Sequence, residues 1–290
     1  AKVIEETFEK GGNVVIPSFA VGRTQELLYY FRQIKNEGMV KSYPNFQVYV
    51  DSPLAIEATA IFKNNEDSCY DEEAAEFVRS GVNPISFKGL KIAVTSDESR
   101  AINFDTTPKV IISASGMCEA GRIKHHLKHN LWRSESTILF VGYQAAGTLG
   151  RKLVEGARSV KLFGEEISVG ARIIQLPGMS GHADKNGLDR WISAIESPKG
   201  VFVIHGDSDA AEGYTEHLKS DMGLSTYCPY SGAELDLISG VFTNAKPVPA
   251  LEKPRESTPY VRLKAAADRL KKLVSESSGL TNKELAAMAD

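Results

Sequence analysis

Residues 13–38, "NVVIPSFAVGRTQELLYYFRQIKNEG", contain the alternation that decides the fold. A short run of β-branched and apolar residues passes through small residues and glycine into a segment with apolar residues at helical spacing. The same order returns at "FQVYVDSPLAIEATAIFKNN", at "PKVIISAS" and at "STILFVGY", each followed by a helical segment, as far as about Glu155. Near-continuous apolar strands separated by helices predict an α/β fold with a mostly parallel sheet flanked by helices on both faces.

A second block, at about 160–245, has a different pattern. It opens with a predicted hairpin, "SVKLFGEEISVGARIIQLP", which turns near Gly164 to Glu166. A helix, the strand "GVFVIHG", a second helix and a last strand near "LSTYCPY" follow. The stretch "NAKPVPALEKPRESTP" after it is rich in proline and charge, which is typical of a linker. The sequence therefore predicts a second folded part and a tail.

Composition excludes several classes of protein. The chain has 290 residues, of which 42% are hydrophobic and 24% charged, so it has room for two domains. No apolar run approaches the roughly 20 residues of a membrane-spanning helix. The three cysteines form no CxxC pair, so the sequence predicts neither a disulfide framework nor a thiolate zinc site. We expect a cytoplasmic protein without a membrane partner.

Charge is unevenly distributed along the chain, although the net charge is only −3. Residues 51–108 contain 5 Lys and Arg against 11 Asp and Glu, whereas residues 109–161 contain 9 against 3. A solvated helix face that happens to be basic would explain the second stretch. A surface that binds a polyanion would explain it equally well.

Three strand-to-helix junctions share one design. They read "PSFAVGRT" (17–24), "SASGMCEAGR" (113–122) and "GYQAAGTLGR" (142–151), and each contains a Gly-Arg pair. Free amides at a helix N-terminus attract anions, and arginine matches phosphate oxygens. Glycine is also common at such turns for steric reasons alone. None of the three is a Walker loop or a GxGxxG motif, so repeated backbone phosphates of a nucleic acid fit better than a nucleotide.

Two histidines follow strands of the second block. His182 lies in "GMSGHAD" between Gly181 and Ala183, whose small side chains make it a poor core residue. His205 ends "GVFVIHGD", where a predicted strand meets a loop. A ligand or catalytic group often occupies such a position. A histidine that only bonds the backbone fits this position equally well.

The order of these motifs carries a resemblance. "IPSFAVGRTQELL", "VYVDSPLA", "SASGMCEAGRIKHHL", "GYQAAGTLGR", "SGHAD" and "VIHGD" together resemble the β-CASP nucleases of the metallo-β-lactamase superfamily, which include the polyadenylation endonuclease, its bacterial and archaeal relatives and ribonuclease J. The resemblance implies that residues 1–164 form a β-CASP domain. Residues 165–245 would form the C-terminal portion of the metallo-β-lactamase αββα domain, and residues 246–290 a linker and helical tail.

The resemblance also implies roles. His182 matches the general acid that protonates the leaving oxygen, and His205 matches a zinc ligand of a site that holds two zinc ions and hydrolyses phosphodiesters with a metal-bound hydroxide. Asp184 and Asp207 would orient these imidazoles. The RNA-cleaving members of the family typically have a histidine at the position of His205, so single-stranded RNA is the expected substrate. Its backbone contacts would be Ser18, Arg23, Ser115, Gly116, Arg122, Lys124, Lys128, Arg133, Gly147, Arg151 and Ser180.

The family's HxHxDH metal motif does not occur in these residues. Catalytic zinc needs about three protein ligands. We therefore expect a fragment that lacks the N-terminal half of its metallo-β-lactamase domain, is inactive alone, and binds zinc weakly or not at all. His125, His126 and His129 are predicted to lie on the RNA-facing or solvated surface of a basic helix, with a metal role as the alternative. A non-catalytic scaffold subunit and a module that binds a small phosphate ligand remain open as alternative functions. A second copy of the chain, in a homodimer, remains open as a partner.

Overall fold

The computed structural model describes residues 1–179, 181–244, 266–272 and 275. The chain divides into two compact units, Ala1–Ala183 and Asp184–Asp290. Within the described ranges, no helix combines the length and the apolar character needed to cross a lipid bilayer.

The first unit alternates strands and helices as predicted. Its strands are β1 (Val14–Pro17), β2 (Gln47–Val50), β3 (Leu90–Ile92), β4 (Lys109–Ser113), β5 (Thr137–Phe140), β6 (Ser159–Leu162), β7 (Glu165–Ser168) and β8 (Arg172–Gln175). Its helices are α1 (Lys2–Glu9), α2 (Arg23–Asn36), α3 (Pro53–Asn64), α4 (Glu66–Cys69), α5 (Glu72–Arg79), α6 (Ser96–Phe104), α7 (Ile123–Asn130) and α8 (Leu149–Val154).

Six of these strands form one parallel sheet in the order β3-β2-β4-β1-β5-β8. Successive side chains of a strand point to opposite faces, so the sheet has two cores. On β1, Val14 and Ile16 pack with α1 and α2, whereas Val15 packs with α7 and α8. All three valine and isoleucine side chains are buried. The predicted parallel sheet with helices on both faces is therefore confirmed.

The carboxyl ends of parallel strands meet at one edge of the sheet, where ligands usually bind in such folds. All three Gly-Arg segments leave this edge, after β1, β4 and β5. The strand β8 runs parallel to β5, with Ile173 opposite Ile138. The amide of Leu176 continues this pairing by donating to the carbonyl of Phe140 (2.8 Å). The segment that contains His182 therefore leaves from the same edge.

The predicted hairpin is also confirmed. The strands β6 and β7 pair antiparallel around a turn at Phe163 and Gly164, which both have positive φ (52° and 88°) as the twist of a two-residue hairpin requires. The first compact unit includes this hairpin and β8. The domain boundary between residues 164 and 165, which came from the resemblance, stays a prediction.

The second unit has the predicted order of helix, strand, helix and strand. It contains α9 (Lys185–Ser193), β9 (Val201–Phe202), α10 (Ser208–Ser220), β10 (Thr226–Tyr227), β11 (Glu234–Leu235) and β12 (Phe242–Asn244). The strands β9 and β10 pair in parallel, and β11 pairs antiparallel with β12. The boundary at residue 245 and the linker and tail at 246–290 fall mostly outside the described residues.

A charged cluster joins α9 and α10 of the second unit. His217 on α10 bonds Asp221 through Nδ1 (2.7 Å) and Asp189 of α9 through Nε2 (3.0 Å). These hydrogen bonds to Asp221 and Asp189 outweigh desolvation and raise the pKa of His217. Asp189 also accepts from the hydroxyl of Tyr214 (3.0 Å). Burial and this bond raise the pKa of Tyr214 to about 12.

The stability of the second unit is expected to depend on pH through His217. Because its folded pKa lies above the unfolded value of 6.5, its contribution is complete below pH 6.5 and is lost as the pH rises through the folded pKa. Urea unfolding of the chain from pH 5.5 to 8.5 measures this. The variant His217→Gln should lose this part of the pH dependence, and an unchanged profile in the variant contradicts the assignment.

Candidate functional site

The second Gly-Arg segment contacts both of the others. We call residues 18–22, 114–122 and 141–150 the loop cluster. In its first segment, the amide of Ser18 donates to the carbonyl of Ser113, the last residue of β4, which directly precedes the second segment (3.0 Å). Gly116 packs against the ring of Phe19, so closely that a Cβ at Gly116 would lie 3.0 Å from Cδ2 of that ring. Hydrogen bonding and packing thus join the carboxyl ends of β1 and β4 at the edge of the sheet.

The second and third segments are joined by hydrogen bonds. Nε2 of Gln144 donates to the carbonyl of Gly116 (3.0 Å), and the amide of Gly150 donates to the carbonyl of Met117 (3.1 Å). A Cβ at Gly150 would lie 1.8 Å from Oε1 of the buried Gln144. Gly121, at φ +81°, would place a Cβ 2.5 Å from the carbonyl of Ala114. These glycines are therefore needed for packing between and within the loops, whether or not a phosphate binds.

Each arginine of the Gly-Arg pairs bonds a carboxylate. Arg23 bonds Glu26 one turn along α2. Arg151 donates through Nε to Glu155 on α8 (2.6 Å). Arg122 is the N-cap residue of α7, and its guanidinium is directed into the protein. The predicted role of these arginines in binding phosphate stays a prediction, and the structure adds that their geometry is set by these carboxylates.

The predicted serine contacts are built into the loops. Ser18 is buried, and its Oγ accepts from the hydroxyl of Thr24 (3.1 Å). Ser115 is half-buried, and its Oγ accepts from the amides of Glu119 (3.2 Å) and Ala120 (3.4 Å). Ser180, the third predicted serine, lies outside the described residues.

A buried ionic network lies next to the loop cluster and includes Arg122, the last residue of its second segment. Asp51, the residue after β2, has a fully buried carboxylate. Its Oδ1 accepts from Nη1 of Arg122 (2.7 Å), and its Oδ2 accepts from Ser99 (2.5 Å) and from Nε2 of His126 (2.6 Å). Burial alone raises the pKa of Asp51, but the bonds from His126, Ser99 and Arg122 outweigh it and hold that pKa below its usual value. The carboxylate is therefore charged at neutral pH.

This network fixes where the second loop ends. Arg122 also donates to the carbonyls of Ala93 (3.0 Å) and Val94 (2.8 Å), which follow β3. Ser113 donates to the carbonyl of Asp51 (2.7 Å). The residues after β2, β3 and β4 are thus held together at the carboxyl edge of the sheet.

The sequence patterns did not predict this network. The prediction that all three histidines of α7 lie on the surface is wrong for His126, which is fully buried. Its Nδ1 faces Oδ1 of Asn103 (2.8 Å) while Nε2 bonds Asp51. A signal was present, because Ile123, His126, Leu127 and Asn130 have the i, i+3, i+4, i+7 spacing of a buried helix face.

The predicted lysine contacts lie on α7. Nζ of Lys124 is 5.4 Å from the ring centroid of Phe163 in the hairpin turn. Lys128 bonds Glu165 (2.7 Å). Arg133, which follows the helix, donates to the carbonyl of Gly11 (3.1 Å). Gly147 is exposed with φ +83°, and a Cβ there would meet nothing within 4 Å. Their contact with RNA stays a prediction.

The two predicted functional histidines are exposed and belong to different units. His182 lies between β8 and α9. Asp184 is the N-cap residue of α9, and its Oδ1 accepts from the amide of Gly187 (2.7 Å). His205 follows β9 in the left-handed region at φ 60°, which is uncommon outside glycine and frequent at functional sites. Asp207 is the N-cap residue of α10.

Catalytic zinc requires more ligands than the described residues bring together. Among the described residues, no three His, Cys, Asp or Glu side chains form a group that could hold a metal ion. Catalytic zinc uses about three protein ligands. His205 by itself therefore does not fit a catalytic zinc site.

Two family models match the chain. The Beta-Casp domain matches residues 24–153, and the Zn-dependent metallo-hydrolase RNA specificity domain matches residues 166–229, which include His182 and His205.

Curated relatives agree with these matches. Ribonuclease TTHA0252 of Thermus thermophilus is 34% identical over 208 residues, 72% of this chain and 46% of the relative. Two proteins of Methanocaldococcus jannaschii are also similar. An RNase J-like protein is 32% identical over 81% of this chain and 52% of its own length, and transcription termination factor FttA is 31% identical over 79% and 36%. The chain thus spans between about a third and a half of the length of these relatives.

The parallel sheet, the contacts between the Gly-Arg segments and both domain matches agree with the resemblance that the sequence motifs carry. The chain belongs to the β-CASP family of the metallo-β-lactamase superfamily.

Proposed function

We propose that this chain is part of a zinc-dependent ribonuclease of the cytoplasm, in which it supplies the RNA-binding domain, a general acid and one zinc ligand. The observation that carries the proposal is the match of the RNA specificity domain across 166–229, because both exposed histidines lie within it. The names of two relatives, a ribonuclease and an RNase J-like protein, support RNA hydrolysis.

His182 would donate a proton to the leaving oxygen of the scissile phosphodiester. An imidazole titrates near neutral pH, which suits it to proton transfer in a cell. Its segment leaves the same sheet edge as the loop cluster, so an RNA strand held on the loops would reach it. Asp184 would orient the imidazole of His182, and Asp207 would orient that of His205.

His205 would contribute one of about three ligands to catalytic zinc. The other ligands would come from outside the described residues, because those contain no group of three suitable side chains. When bound, zinc would stabilise negative charge on the phosphoryl oxygens. We accordingly expect the 290-residue chain alone to bind zinc weakly and to hydrolyse no RNA.

RNA would be held through its backbone on the loop cluster and the basic stretch at 109–161. Fluorescence anisotropy with a labelled single-stranded RNA tests this. If three to five phosphates are contacted, the logarithm of the binding constant should fall with the logarithm of salt concentration with a slope of about −2 to −3.5. Binding should differ little between RNA sequences, because phosphate contacts carry no base information.

Two results would redirect the proposal. Binding of a sugar phosphate without binding of RNA would favour a small-ligand module. RNA binding by a native protein that lacks both cleavage and zinc would favour a scaffold subunit. Sequence-independent, salt-sensitive RNA binding supports the proposal.

A further inference from the structure

A polar cavity of about 300 Å³ lies beside the loop cluster. Its walls come from the second and third loops, from α7 and α8, and from β6. Three lysines on three different elements line it, namely Lys124 on α7, Lys152 on α8 and Lys161 on β6. Because separate elements of one folded unit converge on the cavity, its cationic lining is a product of the tertiary structure.

The charge of the cavity is unbalanced. One carboxylate, Glu119, lines it together with the three lysines, which gives a net charge of +2. Glu119 already accepts a hydrogen bond from the amide of Leu149. In the described part of the chain, none of the three lysines forms a salt bridge, although Lys128, on the same helix as Lys124, is paired with Glu165. A bound anion would balance this positive charge.

The contacts near the lysines leave their charges unneutralised. The ammonium of Lys124 lies over the ring of Phe163, a contact that leaves its charge intact. The carboxylate of Glu166, opposite Lys161 in the hairpin, accepts from the hydroxyl of Ser159 (2.6 Å). Lys152 and Lys161 are exposed and can reach a ligand from solvent.

We propose that Lys124, Lys152 and Lys161 form a subsite for the phosphodiester backbone of single-stranded RNA, beside the loop cluster and outside the segment of His182. This rests on the proposed function. Lysine binds phosphate as a point charge, so three of them can follow two or three successive phosphates of a flexible strand. Gly147 lines the opening without a side chain that could block the strand.

The double variant Lys152→Gln/Lys161→Gln tests the subsite in the 290-residue chain. Two fewer phosphate contacts should reduce the magnitude of the salt slope for a labelled single-stranded RNA by about 1.4, because each contact contributes about 0.7. Binding at 50 mM salt should weaken roughly tenfold. Glutamine keeps the length of the stem, and both side chains are exposed, so urea unfolding should match the wild type.

The matched control is Lys10→Gln/Lys88→Gln. Both lysines are exposed and precede strands, Lys10 before β1 and Lys88 before β3, so they lie toward the opposite edge of the sheet. This variant removes the same charge and should keep the wild-type slope. An equal loss in both variants would reduce the effect to net charge and overturn the subsite.

The outcomes separate the two proposals. Wild-type binding of RNA with an unchanged slope in Lys152→Gln/Lys161→Gln overturns the subsite alone. Absence of RNA binding by the wild-type chain overturns the subsite and the RNA-binding part of the proposed function together.

Discussion

Asp51→Asn is expected to lower the free energy of unfolding of the chain by about 3–5 kcal/mol. The substitution keeps the shape of the side chain and removes its charge. Arg122, whose side chain is 20% exposed, and the fully buried His126 then lose the buried carboxylate that both contact. An uncompensated buried cation is costly because the protein interior solvates charge poorly. The second loop should loosen as well, since Arg122 marks its end.

Urea unfolding at pH 7 measures this loss, with Asp97→Asn as the control. Asp97 forms an exposed ion pair with Arg100, with side chains 90% and 74% exposed, so its removal should cost less than about 1 kcal/mol. The wild type should also lose stability as the pH falls through the depressed pKa of Asp51, which is a part of the acid dependence that the Asn variant lacks. Equal losses in the two Asn variants contradict the role of the network.

His182→Ala is expected to reduce RNA cleavage by the native protein by about 10²–10⁴-fold without loss of zinc. A general acid contributes to the rate by donating a proton, and its removal leaves the metal ligands in place. His205→Ala should instead lower the zinc content, because it removes the proposed zinc ligand. The two variants therefore separate proton transfer from metal binding.

Zinc content by atomic absorption and cleavage of a labelled RNA test both variants. His217→Gln is the control, since His217 takes part in a cluster of the second unit that we assign to stability, and both zinc and cleavage should be retained at pH 6.5. Loss of zinc in His182→Ala with retention in His205→Ala would reverse the proposed roles. Full activity in His182→Ala would exclude it as the acid.

Local patterns were sufficient for most of the strands and helices and for the type of sheet, although β3, α4, α5 and α6 were not among the predicted elements. The strand "NVVIP" and the helix after it, the hairpin at Gly164, and the order of elements from α9 to β10 all follow from short-range periodicity and turn residues. The histidine motifs were also visible, because residues on loops after strands do not depend on distant packing for their recognition. The resemblance to the β-CASP family rested on these same motifs, and the domain matches confirm it.

Partners across the sheet could not be predicted in the same way. Asp51 and His126 are 75 residues apart, and Arg122 meets Asp51 over 71 residues. A single carboxylate in "VYVDSPLA" and a histidine in "IKHHLKHN" carry no mark of their pairing. The same holds for Lys124, Lys152 and Lys161, which come from three elements.

The sequence by itself determined that the chain alternates strands and helices, that its sheet is parallel, and that Gly-Arg loops meet at one edge, because periodicity and turn chemistry act within a few residues. Only the tertiary structure decided what those loops contain. Gly116, Gly121 and Gly150 are needed for close packing, a histidine expected on the surface is buried against Asp51, and three separate lysines converge on one cavity. Each depends on which residues the folded sheet brings together, and neighbours along the chain do not encode that.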